Sequence, residues 1–456
     1  MSSIESAPAV TEELELEAAV RDTARVGVSA MGLRLASYAI GFVASVMIAR
    51  SLGPTGRGLY ALPLAVLGIV MALAPLGLEH ANFALAAKGV RARVLWANGT
   101  LAAAGISVAV GLVLVAIVAF VPASNGELPT TWYVVVLAQV PLLLLTLYWA
   151  SVLQLEHRYV TVSLGFLAAV AVHAAVVAAM FLADALTPFR VLALTWVVNG
   201  SALIWIYVVG ARAGAVGWRP DVRTLRAALV FGLKVHGGAI AFFLLLRLDQ
   251  VLVQGLVGFR ALGLYSLAVT IGELLWLLCE PLAIAVLPHQ ARVEGENDRR
   301  LAFATARLAL LFALVGGTVL WVASPWLIGF VYGRAFDDTA SLLRWLLPGI
   351  VALSAARPLS TLLLRDGRPL LLSALGLLTL IANVGLNLVL LPSIGTVGAS
   401  VASSIAYVAL LIAYVGVTRR KGIVGWRELV PRPGDLTRLR PNRTAVIDPP
   451  AAGNVR

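Results

Sequence analysis

The sequence predicts an all-α polytopic membrane protein: about twelve transmembrane helices in two parallel six-helix repeats around a central cavity. Three observations predict it. Apolar residues make up 60% of the 456 positions and charged residues only 13%, where a soluble domain carries about 25%. Apolar runs such as 101–121 and 304–328 exceed the roughly 18 residues that mark a membrane crossing. A shift of 205 residues lays the start of the chain over its middle in one ungapped register.

Residues 1–25 are acidic (Glu5, Glu12, Glu13, Glu15, Glu17, Asp22). They read as a cytoplasmic tail, because the basic start and early apolar core of a signal peptide are missing. Apolar segments then fall near 26–49, 59–83, 95–121, 132–155, 161–183 and 191–211, a first six-helix bundle over 26–211. A cytoplasmic linker over 212–227 leads to a second bundle over 228–418, with segments near 228–254, 262–287, 303–327, 341–364, 369–391 and 396–418. The joints hold turn formers such as Gly53-Pro54, Gly333 and Pro392. Arg419-Arg420-Lys421 ends the last span, and the basic, proline-rich tail 419–456 is suited to anionic lipid.

Lys and Arg counts orient the chain. The two tails and the loops after the even-numbered spans hold 24 basic residues, and the other loops hold 5. Both termini are therefore expected in the cytoplasm. The net charge of +12 is thereby a matter of topology and lipid contact, with no call for nucleic acid. One cysteine, Cys279, and five scattered histidines supply no disulfide framework and no metal-ligand spacing. No phosphate-binding or dinucleotide loop is present, so no cofactor and no enzymatic activity are expected.

In the 205-residue register Gly27 meets Gly232, Gly53 meets Gly258, and Gly58-Leu59-Tyr60 meets Gly263-Leu264-Tyr265. Six spans per repeat is an even number, so both halves enter from the same face, and a path between them is the usual consequence.

Ionisable side chains inside spans cost roughly 2.5–3.5 kcal/mol on insertion scales and so face a cavity or a partner. Arg34 shares a helical face with Gly27, Ala30, Ser37, Gly41 and Ser45, a small, polar surface suited to a water-filled vestibule. Its guanidinium can grip a phosphate with a bidentate fork or pair structurally. Arg247 and Asp249, two residues apart on one helix, cannot simply pair with each other. Arg247 and Gln250 share a face that can meet a headgroup, and Asp249 is expected to answer a cation elsewhere in the bundle. Arg357 is a further cavity candidate. Glu273 and Glu280, two turns apart ahead of Pro281, can carry a coupling proton or sodium ion, or pair with Lys234, Arg307 or Arg357. Glu79 and His80, after Pro75 and Gly77, are candidates for gating at an interface. Asn383 and Asn387 are expected to stitch helices together.

The stretch from Ile48, reading Ile-Ala-Arg-Ser-Leu-Gly-Pro-Thr-Gly-Arg-Gly-Leu-Tyr-Ala-Leu, resembles the span 1–2 junction of polysaccharide-exporter flippases. These are the Wzx-type lipid-linked oligosaccharide flippases of the multidrug/oligosaccharidyl-lipid/polysaccharide superfamily. Arg247-Leu-Asp-Gln-Val-Leu-Val with Gly263-Leu-Tyr, Tyr332-Gly-Arg-Ala-Phe, and the closing Asn387 to Leu391, Pro392, Gly395 and Gly398-Ala-Ser are similar to later junctions of that family. The resemblance implies twelve helices in two bundles. It implies movement of an undecaprenyl-diphosphate glycan across a bacterial plasma membrane by alternating access, among membrane lipids and glycan-biosynthesis enzymes. A cation-coupled multidrug or metabolite antiporter of the same superfamily is the alternative. A glycan polymerase fits less well, because the outer loops are short and nearly uncharged.

Overall fold

The computed structural model describes the backbone of residues 7–120, 128–290, 296–365 and 368–419, and the side chains of most of them. The first half holds α1 (Ala7–Leu73), α2 (Leu78–Ala86), α3 (Ala92–Phe120), α4 (Thr130–Leu137), α5 (Val140–Leu155), α6 (Tyr159–Leu182) and α7 (Pro188–Arg212). The second holds α8 (Val222–Leu245), α9 (Leu248–Val257), α10 (Phe259–Gln290), α11 (Glu296–Tyr332), α12 (Asp338–Arg365), α13 (Pro369–Ile394) and α14 (Val397–Arg419). Among the described residues, 11 helical stretches are long and apolar enough to cross a membrane, and the first of them, Ser29–Ala86, has 58 residues. At 1.5 Å per residue that is about twice one crossing. It is broken at Gly53, which brings the number of spans to twelve. Residues 7–25, read from the sequence as a tail, are the beginning of α1.

Gly53 sits at φ 64°, ψ −178°, and its repeat counterpart Gly258 at φ 110°, ψ 178°. This region of backbone space is essentially closed to residues with a Cβ, so the glycine at each junction is what lets one helix stop and the next start without a loop. Pro54 then opens the second span with its φ already helical. Asp221 begins α8 by accepting hydrogen bonds from the Thr224 hydroxyl and the Arg223 N–H, which hold its carboxyl below the usual carboxylate range.

Among the described residues, three spans are broken inside the bundle, where the sequence reads as continuous helix. Span 2 breaks at Pro75-Leu76-Gly77, with φ 51° at Leu76 and 71° at Gly77. The freed Pro75 carbonyl accepts from the Tyr148 hydroxyl at 2.9 Å. Span 4 breaks at buried Gln139, whose amide exchanges hydrogen bonds with Thr195 and accepts one from Asn199. Span 7 breaks at Leu246-Arg247. At the first two breaks a neighbouring helix satisfies freed backbone, through Tyr148 at the Pro75 carbonyl and the Trp196 indole N–H at the Val135 carbonyl, as an apolar solvent demands.

Each half has its own apolar core. Leu78, Leu144, Tyr148 and Leu192 anchor the first, and Tyr265, Phe303, Leu343 and Leu359 the second, into which Ala49, Ala61 and Leu62 of the first half also pack. Outward, Val108, Leu112, Val319, Val322, Ile381 and Val389 are more than half exposed. Such surface is a liability in water but the ordinary outer face of a helix bundle in lipid.

Candidate functional site

The two halves meet where the repeat is strongest. A Cβ on Gly58 would fall inside van der Waals contact of the Phe259 carbonyl oxygen, and one on Gly263 inside that of the Pro54 carbonyl oxygen. Gly58 and Gly263 are repeat partners, and so are Pro54 and Phe259, so the contact is reciprocal in the manner of a two-fold axis. Arg50 reinforces this end. Its Nε and Nη2 donate to the Val331 and Phe330 carbonyls at 2.8 and 2.6 Å, capping α11 from the first half of the chain. The bundle is therefore closed at the end that carries Gly53 and Gly258.

A cavity of about 460 Å³ opens beneath that closure. Span 1 supplies Arg34, Ser37, Tyr38, Gly41, Phe42 and Ser45, α6 supplies Val162, Ser163, Phe166 and Val170, Gln154 comes from α5, and the second half supplies Thr270 and Leu274. Arg34, Ser37, Gly41 and Ser45 thus lie on one wall, at the spacing that periodicity predicts. Arg34 is exposed to the hollow, and among the described residues no carboxylate forms an ion pair with it. Arg34 and Ser45 are eleven residues apart on one helix, so the cavity wall runs about 16 Å from the arginine to the closed end.

The other candidates are not on that wall. Arg247 is bound to Glu273 by two hydrogen bonds, 2.7 Å from Nη1 to Oε1 and 3.2 Å from Nη2 to Oε2. Each thereby neutralises the other: Glu273 finds a cation, and it is one the sequence did not nominate. Arg357 lies over the rings of Phe242 and Trp276, 5.0 and 5.2 Å from their centroids. Gln250 is buried at 6% exposure. Glu79 and His80 stand 3.6 Å apart at the start of α2, the carboxylate mostly covered and the imidazole mostly exposed, at a helix N-terminus that favours negative charge. The side chain of Glu280 lies outside the described residues.

Asp249 is 1% exposed and is met by neutral donors rather than the expected cation. The Tyr265 hydroxyl donates to it at 2.5 Å, the Ser403 hydroxyl at 3.2 Å and the Gln250 N–H at 2.7 Å. The network continues from Asn383 Nδ2 to Ser403 Oγ at 3.4 Å and from Asn387 Nδ2 to the Asn383 carbonyl at 2.9 Å. Asn383 thus joins α13 to α14, as expected, whereas Asn387 bonds only to Asn383 within its own helix. Asn387 Oδ1 and Ser400 Oγ, in the same part of the bundle, are buried without a hydrogen-bond partner. No cluster of three His, Cys, Asp or Glu side chains forms a transition-metal site among the described residues.

Arg57 is the residue that sequence reading missed. It is 4% exposed. It donates to Tyr60 and Thr270 at 3.1 Å, to Ser266 at 3.3 Å and to Ser45 at 3.4 Å. By hydropathy it falls in the loop between spans 1 and 2, among turn-forming glycines. The helix resumes at Pro54, however, and carries Arg57 into the bundle on its first turn.

Twelve apolar spans in two halves, closed at one end over a cavity with polar side chains along one wall, define a multi-pass, two-bundle membrane fold. Solved structures of that fold match the chain. A lipid II flippase, MurJ, in an inward closed conformation aligns with TM-score 0.66 and 12% identity over 85% of this chain and 87% of its own. An inward-facing multidrug resistance MATE family transporter of the MOP superfamily aligns with TM-score 0.66 and 13% identity over 84% and 94%. An outward-facing structure of a MATE family transporter aligns with TM-score 0.59 and 15% identity over 87% and 94%. No functionally curated protein matches in sequence. The profile of the family described as "Polysaccharide biosynthesis protein" matches residues 25–293. The chain belongs to this family.

Proposed function

We propose that this protein is a flippase that carries a lipid-linked oligosaccharide or polysaccharide precursor, on an undecaprenyl-diphosphate carrier, across the bacterial plasma membrane by alternating access. Arg34 carries the reading. An exposed guanidinium on the wall of a cavity otherwise built of hydroxyl, glycine and apolar groups suits a cargo with one compact anionic group, a long lipid and a sugar of variable size. A charge-assisted, bidentate grip on phosphate leaves the rest of the cargo unread. The basic-residue asymmetry supports an orientation with both termini cytoplasmic, so the Arg34 end of the cavity faces the leaflet where the cargo is made and the Gly58–Gly263 contact closes the outer side.

The Asp249 network is the best place for a coupling cation. A buried carboxylate held by neutral donors, with the unpartnered oxygens of Asn387 and Ser400 one helical turn from Asn383 and Ser403 of its network, offers the hard oxygen ligands that a sodium ion or a proton requires. Glu273, committed to Arg247, is less suited.

The test is leaflet accessibility of a labelled undecaprenyl-diphosphate sugar in proteoliposomes. Arg34→Ala is expected to slow flipping by tenfold or more, since a hydrogen bond to a charged group is worth about 1.5–3 kcal/mol, and Arg34→Lys to lose less. Asp249→Asn is expected to keep cargo binding but lose stimulation by an imposed sodium or proton gradient. Full flipping by Arg34→Ala, together with transport of cationic drugs that depends on Asp249, would instead select the antiporter.

A further inference from the structure

We infer that Arg57 is the sensor through which an anion in the cavity opens the closed end of the bundle. The inference rests on the proposed diphosphate cargo and adds to it the residue that converts arrival of charge into release of the second half.

Consider first what the guanidinium lacks. Buried charges in proteins are paired, because the penalty for taking an ion out of water stays at several kcal/mol even after relaxation. Arg57 is 4% exposed, yet among the described residues its partners are all uncharged: four hydroxyls and the ring of Tyr60, whose centroid is 5.9 Å from the guanidinium carbon. Two of these point their own hydrogens elsewhere. Ser266 donates to the Gly263 carbonyl at 3.1 Å and Thr270 to the Ser266 carbonyl at 2.7 Å, leaving their lone pairs to face the cation. The site is hydrogen-bonded but not neutralised, and an anion can supply what is missing.

Next, its partners come from both halves. Ser45 and Tyr60 belong to the first, Ser266 and Thr270 to the second, so Arg57 is a cross-link over the interface that the Gly58–Gly263 contact closes. Ser45 and Thr270 also line the cavity. An anion that moves past Arg34 to the far end of the cavity therefore arrives at the hydroxyls that hold Arg57. Hydrogen bonds to an ionised acceptor are roughly twice as strong as those between neutral groups. A diphosphate takes the donors from Ser266 and Thr270, and the links to the second half are lost. The cargo then binds the parted state better than the closed one, which any ligand-driven opening requires.

Finally, the cation is not needed to build the closed interface. Its repeat counterpart is Leu262, fully buried at 0% exposure, so this helix position accepts an apolar side chain in the other half of the same molecule.

The experiment places spin labels on Thr55→Cys and Arg260→Cys in a Cys279→Ser background of the full chain in nanodiscs. Both sites are exposed at the closed end and are repeat partners. The probes are farnesyl diphosphate and uncharged farnesol. With Arg57 present, the diphosphate is expected to move the distance distribution to longer values, and farnesol to leave it unchanged. In Arg57→Leu the short distance is expected to persist with diphosphate bound, while Arg57→Lys keeps a partial response. An equal shift in Arg57→Leu overturns the inference. A parent protein that binds the diphosphate without any shift also overturns it, whereas a parent that binds neither this probe nor the undecaprenyl-diphosphate sugar overturns the flippase reading instead. Should Arg57→Leu give no cooperative thermal transition, the double variant Ser266→Ala, Thr270→Val decides. Unlike Arg57→Leu, it keeps the buried charge and takes away its second-half acceptors in the closed state, so the longer distance is expected without any anion, and a parent-like distance overturns the inference.

Discussion

At the scale of single residues, charge within the spans is sorted by partner. Arg34 faces a hollow, Arg57 is held by hydroxyls, Arg247 by a carboxylate, Arg357 by aromatic faces, and Asp249 by a tyrosine and a serine. The repeat makes the sorting visible. Tyr60 and Tyr265 occupy the same position in the two halves, yet Tyr60 accepts from a cation and Tyr265 donates to an anion, which a phenol hydroxyl can do equally well. The Arg247–Glu273 pair has a consequence for stability. Either Arg247→Leu or Glu273→Leu alone leaves the opposite charge unanswered, while the double Leu variant removes both. The side chains retain 31% and 18% exposure, so each single change is expected to cost about 1–3 kcal/mol, less than the 3–5 of a fully buried pair. The double variant is expected to lie near the parent. Thermal unfolding in detergent checks this, and a double variant as unstable as the sum of the singles would deny that the two groups act on each other.

At the scale of elements, the sequence told spans from joints because a long apolar run and a glycine-proline break are local signals. Twelve segments followed from hydropathy, and the Arg34 face from spacing along one helix. What stayed hidden depends on contacts between helices. Pro141 is a local signal for the break at Ala138-Gln139, in the first turn of the helix that follows it, but nothing near Leu246-Arg247 marks one, and the side-chain partners at both breaks lie on other spans, Thr195 in one case and Glu273 in the other. By sequence Arg57 reads as a loop residue for a related reason: the turn before it consumes a single residue, Gly53, and so the helix restarts sooner than a glycine-rich stretch suggests. That economy makes Gly53 sensitive. Gly53→Ala must hold an alanine at φ 64°, ψ −178°, at a cost of about 1–3 kcal/mol, although no atom stands within 4 Å of the new methyl. Gly105→Ala, equally free of neighbours but in the middle of α3, is expected to be neutral or slightly stabilising. Parallel thermal melts separate backbone strain from crowding; equal melting points for the two would remove the strain argument.

At the scale of the whole molecule, each half has a core of its own, and the closed end is where the two are held together. Its tightest point is the backbone contact between Gly58 and Phe259 on one side and between Gly263 and Pro54 on the other. A main-chain carbonyl cannot rotate aside as a long side chain can, so a methyl group at either glycine must push the halves apart. Gly58→Ala and Gly263→Ala are therefore expected to lengthen the distance between labels at positions 55 and 260 with no ligand present. Because the contact is reciprocal, the two should do so to a similar degree. Each half keeps its own core, Leu144 and Tyr148 in one and Phe303 and Leu343 in the other, so both variants are expected to unfold cooperatively. Arg57→Leu, by contrast, is expected to leave the halves together. In the double variant Gly58→Ala, Arg57→Leu the steric term should win, since backbone overlap acts whether or not a cation spans the interface. A closed distance in the single glycine variants would mean that the helices slide to make room, and that the two halves are not hinged at this junction.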